Sequence, residues 1–497
     1  MPSLVETAAS SDDAVPLLPL IHAASTRRWD RLASVGVLVL AVVLGGLLRF
    51  SGLGGREMSA DEGASWAAAS GSSVSQVLRL QPRLNPGKFA VHEIALHGWI
   101  RLFGDGLATM RALSALAGTL GIVAMFCLAY ELFAPYRAIP HGVNENVFQE
   151  SGETPPSLTA AFAAVVFAVN LVFIKYGQEA RMYSVALLCA LIQVEFFLRS
   201  VRRPAPASLS LTAMFTALAI ASTFTMLLIL PPEALWLAYL VRRRDKAICR
   251  CVIFAALALA GGLILLIPPA IIYLRVRAQA PALLAYAWAS PPPFWEPFSM
   301  FNKAAGSIAF PAVLGLALWG IARGWRAEHD AVVFALLWML VPPILVLAAS
   351  DLIRPAFVER YLLTSFVPFF LLVAFGIWHV RGLPAQVGLL AIVTLLALGH
   401  VYSYRRRAHD VQWREAVQAA STTAGCTLAV APPYAVDVVR YYLRDSHSGC
   451  SVVSGRAKSA AVAIVADTGV SPAEAAQIAA ACPHLLARLR GVIVRGH

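Results

Sequence analysis

Phe89-Ala90-Val91-His92-Glu93-Ile94-Ala95-Leu96-His97-Gly98-Trp99-Ile100-Arg101-Leu102-Phe103 is the stretch on which the topology turns. It is apolar enough to suggest a membrane span. However, a span needs about 20 predominantly apolar residues, and this one is short and carries His92, Glu93, His97 and Arg101. Counting it as a span would reverse every later loop. We read it as an amphipathic helix that lies on the membrane surface or tucks into the protein.

The rest of the chain then falls into order. About eleven apolar runs are long enough to cross a bilayer or nearly so: 32–49, 108–133, 157–175, 180–198, 207–222, 225–241, 251–273, 304–322, 331–349, 360–378 and 383–401. With 89–103 excluded, the basic clusters all fall on the N-terminal side of the membrane. They are Arg27, Arg28 and Arg31; Arg137; Arg199, Arg202 and Arg203; Arg242 to Arg250; Arg323 and Arg326; and Arg381. The positive-inside rule makes that side cytoplasmic. Residues 1–31 are then a cytoplasmic tail, and no cleavable signal peptide is expected.

Composition agrees. Of 497 residues 59% are hydrophobic and only 14% charged, against about 25% charged in soluble domains. The net charge of +12 sits in short loops that set topology, so nucleic acid is not an expected partner. The fold class is a polytopic α-helical membrane protein. Residues 32–411 form the membrane domain, with a structured outer loop over 50–107. Residues 412–497 form a small α/β domain on the outer side. There, Thr427–Ala431, Ser451–Val453 and Ala461–Val465 read as strands, with Val492–Val494 closing the sheet. Pro433–Leu443 and Ser471–Ala481 read as helices, the second with Ser471 as N-cap. At about 85 residues the unit is small for independent stability and is expected to rest on the membrane domain.

Cys127, Cys189, Cys249 and Cys251 lie in or beside apolar runs and read as packing residues. Cys426, Cys450 and Cys482 lie in the outer domain. One disulfide fits them, with Cys426–Cys450 the first choice; the sequence leaves the pairing open. No Cys/His spacing matches a zinc site.

Carboxylates at a membrane surface imply a partner or a task. Asp61 and Glu62 follow the first span, in Gly55-Arg56-Glu57-Met58-Ser59-Ala60-Asp61-Glu62-Gly63. Glu179 and Arg181 occupy the turn Lys175-Tyr176-Gly177-Gln178-Glu179-Ala180-Arg181-Met182-Tyr183, and Arg360-Tyr361 opens the tenth span. Acids (Asp61, Glu62, Glu179) and cations (Arg56, Lys88, Arg181, Arg360) thus gather on one side. An acid can accept the proton of an attacking hydroxyl, and cations can hold a phosphate as it leaves. A local Glu-Arg pair at a polar hairpin tip is the simpler account of the second turn. Trp288 and Trp295 read as interfacial belt residues, and Tyr441-Tyr442 as packing.

The chain also resembles the GT-C glycosyltransferases of the protein O-mannosyltransferase, lipid A aminoarabinose transferase and lipopolysaccharide galacturonosyltransferase type, over about residues 32–415. The carriers are Asp61-Glu62, the run Leu96 to Asp105, Met110-Arg111-Ala112-Leu113-Ser114-Ala115-Leu116, Gln178-Glu179-Ala180-Arg181-Met182-Tyr183, and Arg360-Tyr361-Leu362-Leu363 with Pro368. The resemblance implies a polyprenyl-phosphate sugar donor and an envelope glycan, lipid or protein acceptor. It implies inverting transfer on the periplasmic face of a bacterial inner membrane, with no obligatory metal or cofactor. By it, Asp61 is the base, Glu62 orients the acceptor or Asp61, and Glu179 is a second acid near the sugar. Arg181 and Lys88 contact the donor phosphate, with Arg360 joining them. Arg56, Tyr183, Tyr361 and His92 are implied substrate contacts. Where relatives often read Gly-Lys-Pro-Pro-Leu or His-Pro-Pro-Leu, this chain has Gly87-Lys88-Phe89-Ala90-Val91. His92 and Glu93 stand where relatives carry aromatic or apolar residues, and are either acceptor contacts or residues that merely face water. A transporter or lipid flippase is the rival reading. It would place ionisable residues inside the spans, and the spans read as nearly free of acids.

Overall fold

The computed structural model describes residues 17–133, 156–242, 246–278, 292–352, 357–407, 411–421, 427–444, 449–454, 462–467 and 470–496. The membrane part is α1 (Leu17–Phe50), α2 (Ala60–Ala69), α3 (Val74–Leu84), α4 (Val91–Phe103), α5 (Leu107–Leu132), α6 (Pro156–Val169), α7 (Leu171–Gly177), α8 (Tyr183–Arg202) and α9 (Pro206–Ser222). It continues with α10 (Leu230–Arg242), α11 (Lys246–Leu265), α12 (Ile267–Ala278), α13 (Glu296–Ala305), α14 (Phe310–Ala327), α15 (His329–Leu352), α16 (Leu363–Trp378) and α17 (Leu383–Arg406).

Among the described residues eight helical segments are long and apolar enough to span a bilayer, or ten if two bent pairs each count as one. Every predicted run maps onto one of these or onto the shorter α9. The bends are the chief departure. The third run breaks by 59° between α6 and α7, because Asn170 caps α7 by accepting the Val172 N–H (3.0 Å). The eighth breaks by 102° between α13 and α14, at Gly306 with φ +78°.

The core is densest around α16, where every residue from Leu363 to Ile377 is buried. Gly320 of α14 and Gly376 of α16 let the backbones touch: a Cβ at Gly376 would lie 2.0 Å from Leu316 O. Small residues permit such approaches in bundles that lack a hydrophobic driving force between helices. Helices α1 and α17 lie at the rim, with most of their apolar surface outward.

The 89–103 stretch is helix α4 and lies beside α2, α3 and α5 as a non-spanning element. Its orientation overturns one expectation. His92, Glu93, Leu96 and His97 point inward, while Leu102 and Phe103 are 78% and 58% exposed. His92 and Glu93 therefore do not face water; the protein buries them.

The C-terminal unit is a five-stranded sheet, order β2-β1-β3-β5-β4. Its strands are β1 (Thr427–Ala431), β2 (Ser451–Ser454), β3 (Val462–Ala466), β4 (His484–Leu489) and β5 (Val492–Gly496), with helices α18 (Trp413–Ala420), α19 (Val436–Leu443) and α20 (Pro472–Ala481). β2, β1 and β3 run parallel; β5 and β4 are antiparallel. Strand β4 was not read from the sequence: of its six residues none is buried. Cys450 is disulfide-bonded; Cys426 lies outside the described residues, as do the acidic linker around Glu145–Glu153, Trp288 and Arg243–Arg244.

The unit rests on the loop helices and shares a core with them: Met58, Leu96 and Met110 pack in one cluster with Trp413, Val438 and Tyr442. Met58 N–H donates to Tyr442 Oη (2.8 Å), and Tyr441 stacks edge-on against Trp66 at 5.2 Å. Helix α19 sits directly on α2, where a Cβ at Gly63 would lie 2.7 Å from Val438 Cγ2 and 2.9 Å from Val438 N. Backbone cannot yield cheaply, so Gly63→Ala is expected to cost about 1–3 kcal/mol. A lowered melting temperature in detergent and faster proteolysis beyond residue 407 would show it; an unchanged melting temperature would refute this packing.

Candidate active site

Four separate pieces of chain meet on the side of the bundle that carries residues 51–106. The first is the start of α2. Ser59 is its N-cap and accepts the Glu62 N–H (3.2 Å), while Glu62 Oε2 accepts the Ser59 N–H (2.9 Å), a reciprocal capping box. Asp61 lies between them in the first turn, where the helix dipole favours an anion.

Glu62 is wholly occupied. Arg111 of α5 grips it through Nε on Oε1 and Nη2 on Oε2, both 2.8 Å, and Ala180 N–H adds a third bond to Oε1 (2.8 Å). Its side chain is 1% exposed. Burial raises the pKa, but Arg111 and the backbone donors outweigh it and hold the group below the usual carboxylate range. The remaining Arg111 donors bind the carbonyls of Leu53, Arg56 and Glu57 at 2.7–2.9 Å. Glu62 is therefore a clamp between loop, α2 and α5, and it has no surface from which to meet a substrate.

Asp61 differs in its exposure. Its side chain is 49% exposed. Arg360 Nη1 lies 3.2 Å and Arg181 Nη2 3.5 Å from Oδ2. Arg181, against the opposing cost of its burial, and Arg360 keep its pKa low, so it is an accessible carboxylate at neutral pH. Arg181 is itself buried, with Nη1 donating to Asp61 O (2.8 Å) and Ser65 Oγ (3.3 Å). Although burial disfavours its charge, Asp61 and its other neighbours outweigh that and raise its pKa. Arg360 stands on the 3-10 turn Glu359–Leu362, 29% exposed, with the half-buried Tyr361 ring beneath it.

The turn between α7 and α8 is tied down by Gln178, whose Nε2 donates to Leu48 O, Arg49 O and Ser51 O at 2.8–3.1 Å. It thereby caps the C-terminus of α1. Glu179 follows, half-buried. Burial, then the Glu62 and Asp61 charges, push its pKa up to about 7.

The other predicted residues are buried or bonded to partners outside this cluster, though Tyr183 touches Arg181 within it. Lys88 is fully buried, with Nζ bonded to Glu93 Oε1 and 3.3 Å from Met182 Sδ, and it is close enough to Arg181 and Asp61 to feel their charges. Burial lowers its pKa to about 8 even with Glu93 opposing. His92 is buried behind it and kept neutral mainly by burial. Tyr183 is buried with its hydroxyl 3.5 Å from Arg181 Nη2. Arg56 turns away to bond Tyr404 Oη of α17 (2.7 Å). The missing double proline has a reason. Phe89 N–H donates to Ala221 O and Gly87 O accepts from Phe224 N–H, each 3.0 Å; a proline at 89 has no N–H to give.

Sequence reading gave no role to Arg111, Ser59, Ser65 or Gln178. Ser59-x-x-Glu62 carries the capping-box signature and was legible. Ser65, one turn after Asp61, was not. Among the described residues no three His, Cys, Asp or Glu side chains converge as metal ligands.

No protein-family model matches the chain, and no curated protein matches it by sequence. Solved structures do match. ArnT from Cupriavidus metallidurans in the apo state aligns with a TM-score of 0.59 at 14% identity, over 93% of this chain and 98% of that one. The same protein bound to undecaprenyl phosphate gives 0.58 over the same spans. The arabinofuranosyltransferase AftD from Mycobacteria gives 0.50 at 16% identity, over 89% of this chain and 37% of AftD. This chain shares their fold, the GT-C fold.

Arg111→Met would strand a buried Glu62 carboxylate, at a cost of about 3–5 kcal/mol. Adding Glu62→Gln should recover part of the loss of melting temperature. If the single variant melts like wild type, the clamp is not what holds this loop.

Proposed function

We propose that this chain is a membrane glycosyltransferase. It takes a sugar from a polyprenyl-phosphate donor and joins it to a hydroxyl of an envelope glycolipid, glycan or protein, at the periplasmic face of a bacterial inner membrane. The observation that carries this reading is Asp61: an accessible carboxylate between two arginines, beside a carboxylate that the fold has made unavailable. The match to ArnT with undecaprenyl phosphate bound supports a lipid-linked donor.

The chemistry is a single displacement. The acceptor oxygen attacks the anomeric carbon as its proton passes to Asp61, and the bond from that carbon to the phosphate oxygen breaks. The sugar inverts, and polyprenyl phosphate leaves carrying the electron pair. Arg360 and Arg181 stabilise the second negative charge that the phosphate gains. No step is assigned to a metal. Glu179, neutral below pH 7, can sit beside an anionic donor without repelling it.

One observation favours the rival transporter reading. Glu233 of α10 is buried within the membrane domain, bonded to Gln193 of α8 (2.9 Å), with its Oε2 unpaired. The spans, read as nearly free of acids, do hold this one. Two other acids within span segments, Glu195 of α8 and Glu131 of α5, are paired with Arg199 and Arg202, and Glu233 is not joined to the Asp61 cluster by any hydrogen bond or ion pair among the described residues.

Asp61→Asn is expected to lower transfer by about 10²–10⁴-fold while the purified protein still binds undecaprenyl phosphate. Undiminished transfer would remove Asp61 as the base, and altered lipid flipping instead of transfer would favour the transporter. As pH rises through about 7, Glu179 ionises and the KM for donor should rise. In Glu179→Gln that rise should vanish; a KM step that persists belongs to another group.

A further inference from the structure

Beside Asp61 and Arg181 lies a second, buried charged layer for which the proposed reaction has no task. Lys88 and Glu93 form an ion pair in which neither side chain has any exposed surface. Ser65 Oγ donates to the same Glu93 oxygen (3.2 Å) while accepting from Arg181 Nη1 (3.3 Å). A hydroxyl has one proton. Ser65 spends it on Glu93, so its lone pairs are turned toward Arg181, and Arg181 in turn meets Asp61 at 3.5 Å. An unbroken path runs Glu93, Ser65, Arg181, Asp61.

Buried ion pairs are weak stabilisers, because desolvation offsets most of the attraction. This one is also incompletely satisfied. Glu93 Oε2 and both His92 ring nitrogens are buried without a hydrogen bond, although His92 Nδ1 is only 3.5 Å from Glu93 Oε1. Fold stability alone is a poor reason to place such a group here.

We propose, resting on the glycosyltransferase reading, that Glu93 is a positioning residue. Through Ser65 it aims Arg181 at Asp61 and at the donor phosphate, and Lys88 is its counter-ion instead of a phosphate ligand. The groups facing Lys88 are Glu93 and His92 from α4, Arg181 and Met182 from the turn before α8, and Asp61 from α2. Above about pH 8 Lys88 loses its proton, Glu93 is left unbalanced, and the path to Arg181 is disturbed. Activity should therefore have an alkaline limb near that pH.

The test compares wild type, Glu93→Gln and Lys88→Met/Glu93→Gln, each purified in detergent. It measures transfer kinetics from pH 6 to 10, melting temperature and binding of undecaprenyl phosphate. Glu93→Gln should lower kcat about tenfold or more with donor KM changed less than about threefold. Its alkaline limb should move to lower pH, because the carboxylate that holds the proton on Lys88 is gone. The double variant loses both charges together, so it should melt near wild type, stay slow and show no limb near pH 8. Wild-type rates and limb in the double variant would overturn the assignment. So would a donor KM raised more than about tenfold at unchanged kcat, which would make Lys88 a phosphate ligand. A wild type that binds undecaprenyl phosphate but transfers no sugar would defeat the glycosyltransferase reading itself, and this assignment with it.

Discussion

The site depends on one buried pair, Arg111 with Glu62. Arg111 spends its guanidinium on three loop carbonyls and both Glu62 oxygens. Glu62 in turn caps α2 and receives the Ala180 amide. One planar fork therefore fixes loop 53–57, the start of α2 and the turn before α8 against α5. A lysine could not replace it, because a point charge cannot hold this many acceptors in a plane. Asp61 and Arg181 are each one residue away from a member of that clamp. Their approach to each other follows from it.

Irregular backbone supports the same geometry. The break at Asn170 frees carbonyls at the end of α6, and Arg49 takes up those of Ala168 (2.8 Å) and Phe167 (3.3 Å) together with Gly45 (3.0 Å) of its own helix. Gln178 then closes α1. Unpaired backbone is costly at membrane depth. Here the side chains that satisfy it also lock the Glu179–Arg181 turn to the end of the first span. The C-terminal unit adds a brace from the other side, through Val438 against Gly63 and Tyr442 on Met58.

Much of this was legible in the chain. The apolar runs, the non-spanning α4 and the Pro472 helix with its Ser471 cap follow from length, periodicity and capping chemistry. Asp61, Arg181 and Arg360 were also within reach, because each lies next to a span end on one side. The inward face of α4 was not. An amphipathic pattern predicts that charged residues turn outward, and here they turn toward a charged layer that only tertiary packing creates. The partners of Lys88 and Arg56 were hidden for the same reason: a cation in a loop looks available until its partner is known, and Glu93 and Tyr404 lie respectively near and far in sequence. Strand β4 lacks a buried face, so it gives no alternation to read.

The adjacent acids Asp61 and Glu62 show why residue type and neighbourhood are not enough to assign a role. Successive helical positions are about 100° apart around the axis, so the two carboxylates face different surroundings. One turns into α5 and meets five hydrogen bonds, which leave it ionised and inert. The other meets two arginines, with half its surface in reach of solvent. Both are anions at neutral pH, and both owe this to arginine. A base needs more than a charge: it must present an unshared lone pair to a hydroxyl within bonding distance. Glu62 has given its lone pairs to the fold, and in doing so it holds Asp61 where its own remain available.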